Sequence, residues 1–339
     1  MELSKQDSKM LKGMAILSML MLHLFCRRSD FPYTPLLWIG DLPVVYYFGL
    51  FGDICVAIYC FVSGYAHGLS ASHAYRGRWK QLLRFMIRFW VIAVVFTIIG
   101  MIVGDPHVPG SLKEFILNCI TIKNSYNGAW WYANTFILLI ALMPLSIKFV
   151  ERSPVWLTLL AAFVFYTVGY GIRFWGWGAC DTPVLSWTVT HIGLLGTSYF
   201  PYIIGMLFCK KKIISMLRRL TGNWNGTLLY VGTVLAFACM IVAHGMVPSL
   251  YVAVFTATAS ICLLCVCPLP QWLCNTLRYF GEHSTNIWLT HMFFFLSIFR
   301  GLVFYAKYPI PVYLLLILLS LAASYVVNWL CKPILKLVR

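Results

Sequence analysis

Long apolar runs separated by short polar breaks recur along the whole 339-residue chain, and runs of that length predict membrane-spanning helices. They fall near residues 10–27, 47–69, 85–104, 129–148, 155–172, 190–209, 227–244, 250–267, 285–304 and 311–331. Ten spans put both termini on the same side. The first run, Leu11–Phe25, contains one titratable group, His23. At about 1.5 Å rise per residue His23 lies roughly 16 Å beyond Lys12, near the middle of a hydrocarbon core about 30 Å thick. An ionisable side chain at that depth is costly and by default marks a functional site. The plainer alternative is a neutral histidine bonded to a neighbouring helix.

Composition agrees with the pattern. Hydrophobic residues make up 61% of the chain and charged ones 11%, and the mean hydropathy is +0.81, outside the range of soluble globular domains. No long polar stretch remains to fold separately, so residues 1–339 read as one domain, an all-α polytopic membrane bundle. The net charge of +16 does not point to nucleic acid, because the basic residues alternate with the spans. With the N-terminus inside, nineteen of the 26 Lys and Arg fall in inner segments and seven in outer ones. That asymmetry follows the positive-inside rule and predicts both termini on the cytoplasmic side. No small-residue cleavage site follows the first run, where Cys26, Arg27 and Arg28 come next, so it is expected to stay as a span. Most of the twelve cysteines lie in apolar runs as packing residues. Cys262, Cys265 and Cys267 lack partners at zinc-site spacing, and no metal is assigned. A disulfide between Cys119 and Cys180, in two outer loops, stays open.

Few polar groups interrupt the spans. The second span, FGDICVAIYCFVSGYAHGLS, carries Asp53 near its outer end and Ser63, Gly64 and His67 in its inner half. At 100° per residue Asp53, Cys60 and His67 share roughly one face. Ser-Gly in a span ordinarily means close helix packing. Arg84 and Arg88 share a face before the third span, either as snorkelling bases or as a fork for phosphates. The fourth span begins with Trp130, Trp131 and Tyr132, and the longer outer connections 28–46, 105–128 and 173–189 are rich in aromatics that suit either a sugar or a membrane interface. The ninth opens GEHSTNIWLTH, placing Ser284, Trp288 and His291 on one face. His23 and His291 with the inner arginines suggest a polar path from the cytoplasm to mid-membrane.

The runs LKGMAILSMLMLHLF, GDICVAIYCFVSGYA, LLRFMIRFW, WWYANTFILLIALMPLS and FGEHSTNIWLTH occur in the order found in the acyltransferase 3 family, and together they resemble that family of integral-membrane acyltransferases. The resemblance implies about ten spans in a bacterial cytoplasmic membrane. It implies acyl transfer from cytoplasmic acyl-CoA, usually acetyl-CoA, acting as a co-substrate rather than a bound cofactor. The acceptor would be a hydroxyl of a surface polysaccharide, lipopolysaccharide, peptidoglycan or lipid-linked glycan. The family's first-span histidine falls on His23, its basic residues on Arg84 and Arg88, and its late serine and histidine on Ser284 and His291. The expected catalytic residues are His23, either as a base for the acceptor hydroxyl or as a carrier of the acyl group, and Asp53, orienting the imidazole or fixing its tautomer if the first two spans pack. Acyl-CoA is expected at Ser63, Arg84, Arg88, Ser284 and His291, and the acceptor at Trp130, Trp131 and Tyr132. A second charged motif of some members has no clear counterpart. The extracytoplasmic hydrolase-like domain of others is not expected, leaving acceptor delivery to the spans and outer loops. The competing reading is a transporter or flippase for a glycolipid or small solute, although no inverted repeat is visible.

Overall fold

Ser4 sets the start of the first helix. Its hydroxyl accepts the Asp7 backbone N–H at 3.1 Å, and the Asp7 carboxylate accepts the Ser4 N–H at 2.9 Å. This reciprocal cap begins α1 (Lys5–Phe25) ahead of the apolar run. The structure is a computed structural model that describes residues 2–69, 74–106, 108–247 and 249–338, without the side chains of 74–76. Arg76 and Arg339, both counted among the inner charges, lie outside the described side chains.

After α1 a small antiparallel hairpin, β1 (Trp38–Ile39) with β2 (Leu42–Pro43), leads into α2 (Val44–Phe51) and α3 (Ile54–Leu69). Then come α4 (Ala74–Val103), α5 (Leu112–Cys119), α6 (Trp131–Arg152), α7 (Val155–Phe174) and α8 (Pro183–Lys210). The chain continues through α9 (Ile213–Thr221), α10 (Gly226–Met246), α11 (Ala253–Val266), α12 (Gln271–Phe295), α13 (Arg300–Phe304) and α14 (Pro309–Lys336). Among the described residues, eight helical segments are long and apolar enough to cross a membrane. The span expected at 250–267 is the shorter apolar segment Leu250–Val266. The span expected at 285–304 starts earlier, at Gln271, and stops at Phe295, with α13 following a break. Its polar residues His283, Ser284, Asn286 and His291 are buried against other helices, so they depress hydropathy without interrupting the helix. By contrast α10 is apolar and only 6% of its most hydrophobic window is buried, a surface that needs lipid around it. The fold is an all-α polytopic helical bundle.

The second expected span is broken at Gly52-Asp53. Backbone bonds there shorten to i→i+3, from Gly52 N–H to the Gly49 carbonyl (2.9 Å) and from Asp53 N–H to the Leu50 carbonyl (3.2 Å). The cause is the close passage of α1, since a Cβ on Gly52 would lie 2.3 Å from the Ser18 carbonyl oxygen. Breaks of this kind are tolerated at membrane depth when they are buried in protein or line a cavity.

One contact between helices does more than the others to position the site. α1 and α12 run in the same direction and touch backbone to backbone. A Cβ on Gly13 would lie 1.8 Å from the Leu277 carbonyl oxygen, and one on Gly281 1.9 Å from that of Lys9. Only glycine permits such an approach, and close backbone packing is how helices associate in lipid. Around this pair the main core gathers Leu11, Ile16, Leu20, Ile54, Ile58, Phe89, Phe293 and Leu316, all fully or nearly fully buried. A smaller cluster joins α6, α7 and α8 through Leu139, Tyr166, Tyr202 and Ile203. Cys119 and Cys180 are both free thiols, so the loops are not bridged.

Candidate active site

Beyond the glycine contact, the ends of α1 and α12 bring two histidines together that lie 268 residues apart in sequence. His23 Nδ1 is 2.9 Å from His291 Nε2. His291 Nδ1 in turn lies 2.8 Å from the Trp288 carbonyl and 3.2 Å from the Ile287 carbonyl. A carbonyl oxygen only accepts, so His291 Nδ1 carries a proton. His291 is fully buried without a carboxylate beside it, a setting for the neutral ring, whose Nε2 then offers a lone pair. His23 Nδ1–H donates to that lone pair. The proton of His23 is thereby assigned to Nδ1, and Nε2 is left as the basic nitrogen. Nε2 has no hydrogen-bond partner among the described residues, and the half-buried ring lines a cavity.

That cavity has a volume of about 330 Å³ and extends along the bundle. On α1 its wall includes Lys12, Met19, Leu22 and His23, which span about 16 Å of helix. Ser63, Gln81 and Phe85 border it towards the Lys12 end. At the His23 end stand Asp53, Trp131, Tyr166, Tyr170, Arg173 and Phe174. Tyr132 and Trp288 form an aromatic waist, their rings edge to face at 5.5 Å.

The residues expected from the sequence divide into those that reach the cavity and those that do not. His23, Asp53, Ser63, Trp131 and Tyr132 line it. Trp130 does not; it is buried behind the wall, its Nε1–H donating to the Leu289 carbonyl at 3.0 Å. Ser284 is likewise buried, and its hydroxyl donates to the Gly281 carbonyl at 2.9 Å. His291 backs His23 rather than facing the cavity. Arg84, exposed, and Arg88, half-buried, are on α4 but do not line the cavity, although Gln81 and Phe85 of the same helix do.

Asp53 meets a partner that the sequence did not suggest. Its Oδ2 lies 2.9 Å from Nε2 of His244 on α10, with both side chains 0% exposed. It therefore does not orient His23, the role expected for it; His291 occupies that place. Asp53, Cys60 and His67 do project from one side of α3 and its preceding turn, but to separate partners: Cys60 to the Tyr132 hydroxyl (3.3 Å) and His67 to the Tyr202 hydroxyl (2.8 Å). Lys12 and Arg173, which entered the charge pattern only as topology signals, both line the cavity. Among the described residues no three of His, Cys, Asp and Glu come together in a metal-binding group.

A polytopic bundle enclosing a polar cavity, with an oriented imidazole at one end and a cation at each extremity, has the parts of a membrane enzyme that handles polar substrates within its span. The family model of an acyltransferase domain, Acyl_transf_3, matches residues 7–329, nearly the whole chain, and the chain belongs to that family. It is a multi-pass membrane acyltransferase. No curated protein and no solved structure matches the chain.

Proposed function

We propose that the protein is an O-acyltransferase of the bacterial cytoplasmic membrane, moving an acyl group, acetyl in the first instance, from cytoplasmic acyl-CoA to a hydroxyl of an extracytoplasmic glycan or lipid-linked saccharide. The observation that carries this reading is the chain from the Trp288 carbonyl through His291 to His23, which leaves a basic Nε2 facing a cavity. A sugar hydroxyl is a weak nucleophile at neutral pH and needs such a base.

In the proposed step, His23 Nε2 takes the hydroxyl proton as the sugar oxygen attacks the thioester carbonyl. The carbon–sulfur bond breaks as the new ester bond forms. The CoA sulfur leaves with the proton returned from the imidazolium, so the products are the ester, free CoA thiol and neutral His23. His291 stays neutral and keeps the ring in register. The thioester reaches His23 through the Lys12 end, past Ser63 and the waist of Tyr132 and Trp288. Arg84 and Arg88 serve the CoA phosphates outside the cavity, which the length of the pantetheine arm allows, with Lys12 nearer the reacting end. Trp131 offers its face to the acceptor ring.

The test is transfer from radiolabelled acetyl-CoA to cell-envelope glycan in membranes containing wild-type protein or His23→Ala. The variant should insert normally and transfer no label. Full transfer by His23→Ala would remove the residue from catalysis, and solute uptake into proteoliposomes without any acyl donor would favour a transporter instead.

A further inference from the structure

We infer that the acceptor saccharide is anionic, bearing a carboxylate or phosphate that Arg173 binds at the His23 end of the cavity. The inference rests on the acyl-transfer reading and sharpens its acceptor half.

Arg173 lies in the last turn of α7 and lines the cavity. Its guanidinium is held over two aromatic faces, 5.3 Å from the Trp131 ring centre and 4.9 Å from that of Phe174. One nitrogen donates to the Thr197 hydroxyl at 3.0 Å. A guanidinium has five N–H donors, and this is the single protein acceptor it meets among the described residues. No carboxylate lies within 4.0 Å of it there. A cation half-buried in an aromatic cage, fixed in direction and short of acceptors, is prepared for a planar or tetrahedral oxyanion, which it binds in bidentate fashion.

A saccharide bearing an oxyanion complements Arg173, with its ring C–H face against Trp131. The donor has no need of Arg173, because Lys12, at the other end and also without a carboxylate within 4.0 Å among the described residues, is the cation nearest the route assigned to acyl-CoA.

The test uses the full chain in lipid nanodiscs with three probes: methyl glucoside, methyl glucuronide and methyl glucoside 6-phosphate. Dissociation constants are measured for wild type, Arg173→Gln and Arg173→Lys, together with that of acetyl-CoA. Wild type should bind at least one anionic probe about tenfold more tightly than the neutral one, in line with a charge-assisted bidentate contact. The carboxylate and phosphate arms tell which oxyanion the site prefers. Arg173→Gln should erase the preference while leaving acetyl-CoA binding unchanged, and Arg173→Lys, which keeps charge but not the fork, should retain part of it. Equal binding of all three probes by wild type, or a preference that survives in Arg173→Gln, overturns the inference. So does a matching loss of acetyl-CoA binding, which puts Arg173 in the donor site. Anionic preference in a wild-type protein that does not bind acetyl-CoA overturns the acyl-CoA reading and leaves the anion site standing.

Discussion

Replacing His291 by phenylalanine should cost far more activity than the loss of one hydrogen bond. A neutral hydrogen bond contributes about 1 kcal/mol net, which by itself is about fivefold in rate. The larger effect comes through the tautomer of His23. With phenylalanine opposite, an Nδ1–H would be a buried donor without an acceptor, at a cost of about 2 kcal/mol. The ring escapes this by carrying its proton on Nε2, the nitrogen that must be bare to act as base. A bias of about 2 kcal/mol leaves roughly one ring in thirty in the active form. Looser ring orientation adds to that, so the expected loss is about a hundredfold. His291→Gln offers an amide oxygen to Nδ1–H and should recover activity to within about tenfold of wild type. Initial rates of acetyl transfer from acetyl-CoA, with melting temperatures of the purified variants as a control, decide the matter. His291→Phe within fivefold of wild type, or His291→Gln as inactive as His291→Phe at equal stability, would refute the tautomer argument.

The Asp53–His244 pair should respond asymmetrically. Removing the histidine (His244→Phe) strands a buried carboxylate and should destabilise by about 3 kcal/mol or more. Asp53→Asn keeps a bond to His244 and should cost nearer 1 kcal/mol. Equal falls in the melting temperature of the detergent-solubilised protein would contradict this. At the N-terminus, burial tends to raise the Glu2 carboxyl, but bonds from Ser215 (2.6 Å) and Tyr65 and the nearby Lys212 charge outweigh it and hold its pKa below the ordinary 4.5. A carboxyl lowered in the folded state contributes stability above its unfolded value and loses it as pH falls through the folded one. Wild type should therefore melt above Glu2→Gln at pH 7, and the gap should close below pH 4.5. A gap that persists or widens in acid would show that Glu2 acts otherwise.

The spans were legible because burial in lipid demands length and apolarity, both local properties of the sequence. Where reading failed, the deciding contact was remote. Hydropathy averaged over a window passes across Gly52-Asp53, whose break depends on the Ser18 carbonyl of another helix. The same averaging misplaced the ninth span, since α12 buries its polar residues against neighbours rather than exposing them. His23 and His291 were each visible as intramembrane histidines, but their 2.9 Å contact joins residues 268 apart. His244 closes the apolar run 227–244, and nothing in its own surroundings connects it to Asp53. Lys12 and Arg173 were seen and given one meaning, topology, because a sequence does not show which side of a helix faces a cavity. The signal pointing to Arg173 is Trp131, an aromatic face for a guanidinium in the very next span.

The glycine contact and the histidine contact act as two ends of one lever. Gly13 and Gly281 bring the axes of α1 and α12 together, and His23 and His291 each lie ten residues further along. That is about 15 Å on both helices. A change of only about 5° in the crossing angle would shift one imidazole against the other by about 1 Å over that length. At 2.9 Å the bond does not survive such a shift, because hydrogen bonds weaken steeply past their normal range. A Cβ at Gly281, 1.9 Å from a carbonyl oxygen, would have to push the axes apart by a comparable amount. The exposed Lys9–Glu282 ion pair, at 2.6 Å beside the contact, is too solvated to hold the angle. Backbone packing in the lower half of the two helices therefore sets the tautomer and direction of the base in the upper half. Residues that never meet substrate are thus bound into the geometry of the reaction.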